Sequence, residues 1–393
     1  MLNKQIIAQV IEDQGHHLLK GNWIERDSTL PTESKRIVIV SGVRRCGKST
    51  LVKSSLMHHN KAIYITFEDP RLVNFEPSDF IRLEELMIAQ GKSILLLDEV
   101  QNVKQWEIYA RSAHERGIQL VITGSNASLL SRELGTKLTG RYKQLELFPF
   151  NFSEFLRFCN LEKDEEGFNS YFEFGGFPEY LTEKDDEYHR LLLRDIISRD
   201  IALRRNISNE RQLVRLAVHL LSNIGKDFSY NKLSKLLEIK SVRSVIDYCD
   251  YLSDSYLMEY VPLYAASIKK QIANAKKAYA IDTAFAKANS LSFSKDMGRR
   301  LENLVYLKLR YSHRHIYYYR NLGSECDFLI KENEEITSLI QVCWELNLDN
   351  QDRELKGIQN AMEETGVNDG IIVTYNQEDE LDGIPVVPAW KWL

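Results

Sequence analysis

A chain of 393 residues exceeds one ordinary domain and calls for two or three, and 44% hydrophobic with 27% charged residues is ordinary globular composition. The formal net charge of −5 argues against a uniformly basic nucleic-acid binder, although a local basic face stays open because counterion release depends on the patch and not the total. No run of about 18 apolar residues is present to span a membrane, the start MLNKQIIAQVIEDQ lacks a secretory signal, and five widely spaced cysteines read as reduced thiols, so the expected location is cytoplasmic and away from membranes.

Residues 1–34 read as a helix and then a loop ending in STLPTES, which leaves open whether they form a partner-binding arm or part of a core. Apolar strand runs then alternate with helical patterns: RIVIV (36–40), AIYITF (62–67), SILLLD (93–98), IQLVIT (118–123) and YKQLELF (142–148). Runs this continuous predict strands covered on both faces, hence a parallel sheet in an α/β domain. Helical patterning follows over residues 153–203 and again over 209–264, closing on a strand at LMEYVPLY. Residues 265–393 return to mixed α and β, with strands expected at IYYYR, CDFLI, LIQVCW, GIIVT and PVVPA.

Residues 42–49 read GVRRCGKS and follow a strand, as a phosphate-binding P-loop requires. Gly42, Val43, Arg44, Arg45, Cys46 and Gly47 would wrap a nucleotide phosphate chain, with Lys48, Ser49 and Thr50 opening the next helix. In this reading ATP is bound with Mg2+; Lys48 holds the β and γ phosphates and Ser49 ligates the metal. Asp98, at the end of SILLLD, positions the metal through water, and Glu99 is the general base for the attacking water. After the next strand, VITGSN offers Asn126 to orient that water, with Ser125 as the alternative. Arg141 in LTGR lies just before the fifth strand, where it would reach not its own phosphates but those of a neighbouring subunit.

In this order the residues resemble the AAA+ superfamily of P-loop ATPases. GVRRCGKST, DEVQNVKQWE, ITGSN, LTGR, ELFPFNFSEF, FGGFPEYL and the ending VVPAWKWL resemble, more narrowly, a bacterial and archaeal family that couples an AAA+ core to a C-terminal domain of unknown function. The resemblance implies an ATPase acting as a homo-oligomer, with a hexameric ring as one form. It also implies that Pro178 of GGFP packs near the adenine. Read from the residues alone, GGFP is a helix C-cap followed by a turn.

Residues 229–264 have two helical stretches split near 239–241 and a strand after them, the rhythm of a winged helix. Val242, Val245, Ile246 and Cys249 would face inward, while Lys235, Lys240 and Arg243 would face out as DNA contacts. Asp247, Asp250 and Asp254 on the same segment would repel phosphates. Further on, GRRLENLVYLKL, SECDFLI and LIQVCWEL resemble the restriction-endonuclease-like, PD-(D/E)XK, arrangement. Glu302 and Asp327 match its first two acidic positions, but Gln341 and Cys343 stand where its third carboxylate and its lysine belong. An amide is a poor ligand for a hard cation and a thiol carries no positive charge, so a nuclease-like fold without nuclease activity is expected.

The expected organisation is an AAA+ core with its N-terminal segment (1–152), a helical lid (153–205), a winged helix (206–265) and a degenerate nuclease-like domain (266–393). The expected activity is ATP hydrolysis that binds or remodels DNA. The rivals are a signalling switch, a protein-remodelling ATPase with no DNA role, and an ATP-regulated nuclease.

Overall fold

The computed structural model describes residues 1–16, 23–58, 60–124, 140–265, 267–291, 296–321 and 323–393. They divide into two units, Met1–Pro149 with Asp254–Tyr256, and Phe150–Ser253 with Leu257–Leu393.

The first unit runs α1 (Lys4–His16), β1 (Ile37–Ser41), α2 (Lys48–His58), β2 (Ala62–Thr66), α3 (Asp79–Ala89), β3 (Ile94–Asp98), α4 (Trp106–Glu115), β4 (Gln119–Thr123) and β5 (Tyr142–Glu146). The five strands make one parallel sheet in the order β2-β3-β4-β1-β5. All five residues of β1 are buried, as expected of a central strand covered on both faces. Helix α1 is part of this core and not a free arm, because Ile7 and Val10 are fully enclosed in it beside Ile11. Gln14 at the end of α1 also accepts a hydrogen bond from the Thr66 N–H at 2.9 Å, satisfying a backbone donor at the end of the edge strand β2. Phe80 and Tyr109 stack with ring centroids 3.9 Å apart and tie α3 to α4.

The second unit opens with α5 (Phe152–Cys159), started by a reciprocal Asn151–Glu154 capping box, then α6 (Glu165–Phe174), α7 (Pro178–Glu183) and α8 (Tyr188–Asp195). Next come α9 (Glu210–Leu221), β6 (Asp227–Phe228), α10 (Tyr230–Leu236), α11 (Val242–Asp254), β7 (Met258–Pro262), α12 (Ile268–Ala273) and β8 (Lys276–Ala280). Strands β6, β8 and β7 form a small antiparallel sheet in that order. On α11 the buried apolar side chains are Val245, Cys249 and Leu252, with Val242 and Ile246 half-buried.

The chain continues through α13 (Thr283–Asn289), α14 (Met297–Ser312), β9 (Ile316–Asn321), β10 (Ser324–Glu332), β11 (Glu335–Cys343), α15 (Gln351–Thr365), β12 (Gly370–Thr374), β13 (Asp379–Leu381) and β14 (Ile384–Pro388). These strands form one mixed sheet in the order β13-β14-β12-β11-β10-β9. The meander β9-β10-β11 is antiparallel, while β11 and β12 are parallel and are joined by the α15 crossover that parallel pairing demands. The strands expected after residue 265 all form, and β8 precedes them as a strand with no separate expectation.

Asn303, fully buried on α14, accepts from the Ala280 N–H at 2.7 Å and donates to the Ala280 carbonyl at 3.0 Å. It thereby completes the hydrogen bonding of a β8 residue on both sides. Asn303→Ala should lower the stability of the second unit by about 2–4 kcal/mol, because two buried backbone groups lose their partner. Denaturant titration followed by circular dichroism measures it.

Candidate nucleotide-binding site

Parallel strands bring their carboxyl ends to one edge of the first unit, and the chemistry collects there. Between β1 and α2 the chain turns through the P-loop with Arg45 at φ +66° and Gly47 at φ +100°. A Cβ on Gly42 would lie 2.0 Å from the Leu147 carbonyl oxygen, so only glycine fits. The Lys48 side chain is buried and its Nζ donates to the carbonyls of Gly42 and Val43 at 3.0 and 2.9 Å. An ammonium held by two neutral carbonyls is under-neutralised, and phosphate oxygens are stronger partners for it.

Ser49 lies in the first turn of α2 and donates its hydroxyl to Asp98 Oδ1 at 3.1 Å. Asp98, 2% exposed at the end of β3, also accepts from Thr123 of β4 through Oδ1 and from Tyr64 of β2 through Oδ2 at 2.6 Å. Burial, and then the Asp98 charge, push the Tyr64 phenol well above its ordinary range, so it remains a donor. A hydroxyl beside a buried carboxylate at a helix N-terminus is a donor set suited to magnesium on a nucleotide, so Ser49 and Asp98 fit that ion.

Glu99 sits in the left-handed region at φ +52°, uncommon for a side-chain-bearing residue. The turn is held by its N–H, which donates to Thr123 Oγ1 at 3.0 Å. Enclosure raises the Glu99 carboxyl pKa; Lys48 opposes the shift and Asp98 adds to it. Gln101 Nε2 donates to Glu99 Oε2, while the Gln101 Oε1 is buried without a hydrogen-bond partner among the described residues.

Asn126 and its alternative Ser125 lie outside the described residues. Arg141 stands at the amino end of β5, beside Ile37 at the amino end of β1, with Nη2 3.6 Å from Glu115. Because β1 and β5 are parallel, the P-loop is at the other end of the sheet, roughly 16 Å of strand away.

Sequence reasoning missed three supports of this site. Thr123 bridges Asp98 and Glu99, and a threonine closing a strand gave no distinct signal. Tyr256 reaches the sheet with the segment Asp254–Tyr256, its hydroxyl 2.8 Å from Ser41 Oγ, one residue before the P-loop. Arg26 is nearly buried and donates to the carbonyls of Cys46 at 2.9 Å and Phe148 at 2.8 Å, clamping the P-loop to the chain after β5.

In the second unit, Pro178 occupies the first turn of α7 and Gly175 ends α6 at φ +68°. The two glycines before it are required by packing: a Cβ on Gly175 would meet Asp282 at 2.4 Å, and one on Gly176 the Phe150 carbonyl at 2.2 Å. Lys235, Lys240 and Arg243 are exposed, and Arg243 pairs with Asp247 of its own helix at 3.1 Å. Glu302 and Asp327 come together around Lys277, which sequence reasoning missed, and Gln341 accepts from the Asp327 N–H at 3.3 Å while donating to Glu354 at 2.5 Å. The signal for Lys277 was a lysine in the otherwise apolar end of KKAYA.

Residues 34–156 match the AAA domain family and residues 165–296 a domain family of unknown function, DUF8612. Over 430 aligned positions the chain is 34% identical to uncharacterized protein MJ1544 of Methanocaldococcus jannaschii, covering 100% of this chain and 96% of that protein. This chain belongs to the MJ1544 family. Another member of similar length, an uncharacterized protein of Haemophilus influenzae, is 28% identical over 387 positions, covering 91% of this chain and 94% of that protein. The N-terminal unit of this MJ1544-family chain contains the stretch that matches the AAA domain family. Among solved structures, the Aeropyrum pernix ORC1 protein in complex with DNA is similar at TM-score 0.29 and 12% identity, over 73% of this chain and 90% of that one. The S. cerevisiae Hsp104–ADP complex is similar at TM-score 0.30 and 13% identity, over 56% and 37%. Both likenesses are too distant to carry an argument. Among the described residues no helix is long and apolar enough to cross a membrane.

Arg26→Ala should release the Cys46 carbonyl and loosen the P-loop, weakening nucleotide affinity about tenfold, a loss of about 1.4 kcal/mol. Fluorescent-nucleotide titration reads this directly; unchanged affinity would mean the clamp is only structural.

Proposed function

We propose that this protein hydrolyses ATP with Mg2+ as a homo-oligomer and uses the cycle to bind or remodel DNA. The observation that carries the reading is the convergence of Lys48, Ser49, Asp98 and Glu99 at one sheet edge, with the hydroxyl and carboxylate suited to magnesium already 3.1 Å apart. Lys48 exchanges its two carbonyl partners for β and γ phosphate oxygens. The P-loop glycines let backbone N–H groups reach the phosphates, and the α2 N-terminus favours their charge. Ser49, with Asp98 behind it, would hold magnesium, which when bound would supply positive charge to the phosphate oxygens. Glu99 accepts a proton from the attacking water; its raised pKa makes it a stronger base than a free carboxylate. Asn126 orients that water, and Pro178 contacts the adenine.

Arg141 acts in trans as an arginine finger, which agrees with its place at the sheet end away from its own P-loop. A ring of subunits, hexameric or otherwise, would supply one such arginine to each site. The order α9–β6–α10–α11–β7–α12–β8 with its three-stranded sheet supports a winged helix, from which Lys235, Lys240 and Arg243 would meet DNA phosphates. The order α14–β9–β10–β11–α15–β12 supports the restriction-endonuclease-like resemblance, and Gln341, engaged by Glu354, supports a domain without cleavage activity.

Steady-state ATPase rates with magnesium should rise severalfold with one of single-stranded, duplex or branched DNA, and vanish in Lys48→Ala. A Lys48-dependent rate that ignores every DNA form would transfer the reading to a protein partner or a signalling switch. Arg141→Ala should lower hydrolysis by about a thousandfold while sparing ATP binding. Mixing it with Glu99→Gln should restore part of the rate, since mixed interfaces then pair an intact Arg141 with an intact Glu99; no recovery at all would refute delivery in trans.

A further inference from the structure

Lys277 on β8 is 2% exposed and stands among three carboxylates. Its Nζ lies 2.9 Å from Glu302 Oε1 on α14, and 2.7 and 2.8 Å from Glu325 Oε1 and Asp327 Oδ1 on β10. Each acidic side chain also takes a second donor. Tyr279 donates its hydroxyl to Glu302 Oε1 at 2.6 Å, the Val342 N–H donates to Asp327 Oδ2 at 3.0 Å, and Arg320 holds Glu325 Oε2 at 2.6 Å. Gly225 closes over the cluster, since a Cβ there would lie 2.9 Å from Glu302 Oε2. Burial lowers the Lys277 pKa, but Asp327 and then Glu302 outweigh it and hold the ammonium charged. Burial first, then Asp327, push Glu302 up to about 7 against the pull of Lys277.

A divalent cation in an acidic nuclease centre needs the oxygens that here converge on Nζ. Oxygens about 2.8 Å from an ammonium would have to draw in to about 2.0–2.1 Å around Mg2+, or about 2.3–2.6 Å around Ca2+, around nearly the same point. The two occupants are mutually exclusive. Among the described residues, no group of three or more His, Cys, Asp or Glu side chains is arranged to hold a metal ion.

We propose that Lys277 is a built-in cation that takes the place of the divalent metal in this acidic centre, converting a nuclease-like site into a permanently closed ion cluster. The proposal uses the nuclease-like resemblance only to say which ion is displaced, and it is independent of the nucleotide reading. The cluster would join β8, α14 and β10 in the way a structural metal does, without metal and without phosphodiester chemistry.

The test is titration of the nucleotide-free full chain with Mn2+ by calorimetry. Wild-type protein should show no binding that Asp327→Asn removes. Lys277→Ala should gain one Mn2+ at least about tenfold tighter than any wild-type binding, lose it again on adding Asp327→Asn, and show a higher Tm with Mn2+ than without. One wild-type Mn2+ that Asp327→Asn abolishes overturns the proposal, as does a folded Lys277→Ala that gains none. Should Lys277→Ala fold only when Mn2+ is supplied, the proposal stands; should Mn2+ fail to rescue its folding, it falls. ATPase measurements with Lys48→Ala test the nucleotide reading separately, so the two can fail independently.

Discussion

The Asp98 carboxylate has almost no access to water, and it is held by the hydroxyls of Ser49, Tyr64 and Thr123. A charge buried this deeply is tolerated only when polar partners replace its hydration. Those partners come from α2, β2 and β4, so one group at the end of β3 fixes the first turn of the P-loop helix against the two neighbouring strands. Moving any of these elements would strip a donor from a buried anion. The same Thr123 oxygen that donates to Asp98 accepts the Glu99 N–H, so the left-handed turn of Glu99 depends on it as well. The placing of Asp98 and the placing of Glu99 thus share one scaffold.

The second unit solves a related problem with the signs reversed. Lys277 is a buried cation, and its solvation is replaced by Glu302, Glu325 and Asp327. A buried ion pair contributes little net stability by itself, but removing one partner is costly. Such a cluster specifies which side chains meet more than it strengthens the fold. Asn303, the residue after Glu302 on α14, does comparable work, pairing both polar groups of Ala280, so β8 is fixed to α14 by polar contacts beside an aromatic core of Tyr279, Tyr306 and Phe328.

Local pattern made the nucleotide unit legible before any coordinates. Strands β1 to β4 are buried along nearly their whole length and read as continuous apolar runs, while β5 is only half-buried; all five have ends displaced by only a residue or two. The P-loop and the Asp98–Glu99 pair were legible because phosphate binding constrains residue type and spacing within a few positions of chain. Helix α1 was ambiguous: Ile7, Val10 and Ile11 mark an apolar face, but an apolar face does not name the surface that covers it. GGFP was ambiguous for a related reason, because Gly175 and Gly176 are explained by close approaches to Asp282 and Phe150, groups distant or unmarked in sequence.

The sequence by itself determined the parallel α/β sheet and the local placing of Lys48, Ser49, Asp98 and Glu99 at or after strand ends, since these follow from periodicity and from short, contiguous spacing. Only the tertiary structure decided that Arg26 clamps Cys46 to Phe148, that Tyr256 reaches Ser41, and that Lys277 stands among Glu302, Glu325 and Asp327. Each of these joins residues far apart along the chain. Hydrogen bonds and ion pairs act over a few ångströms of space, and no local pattern records which distant residues folding brings within that range.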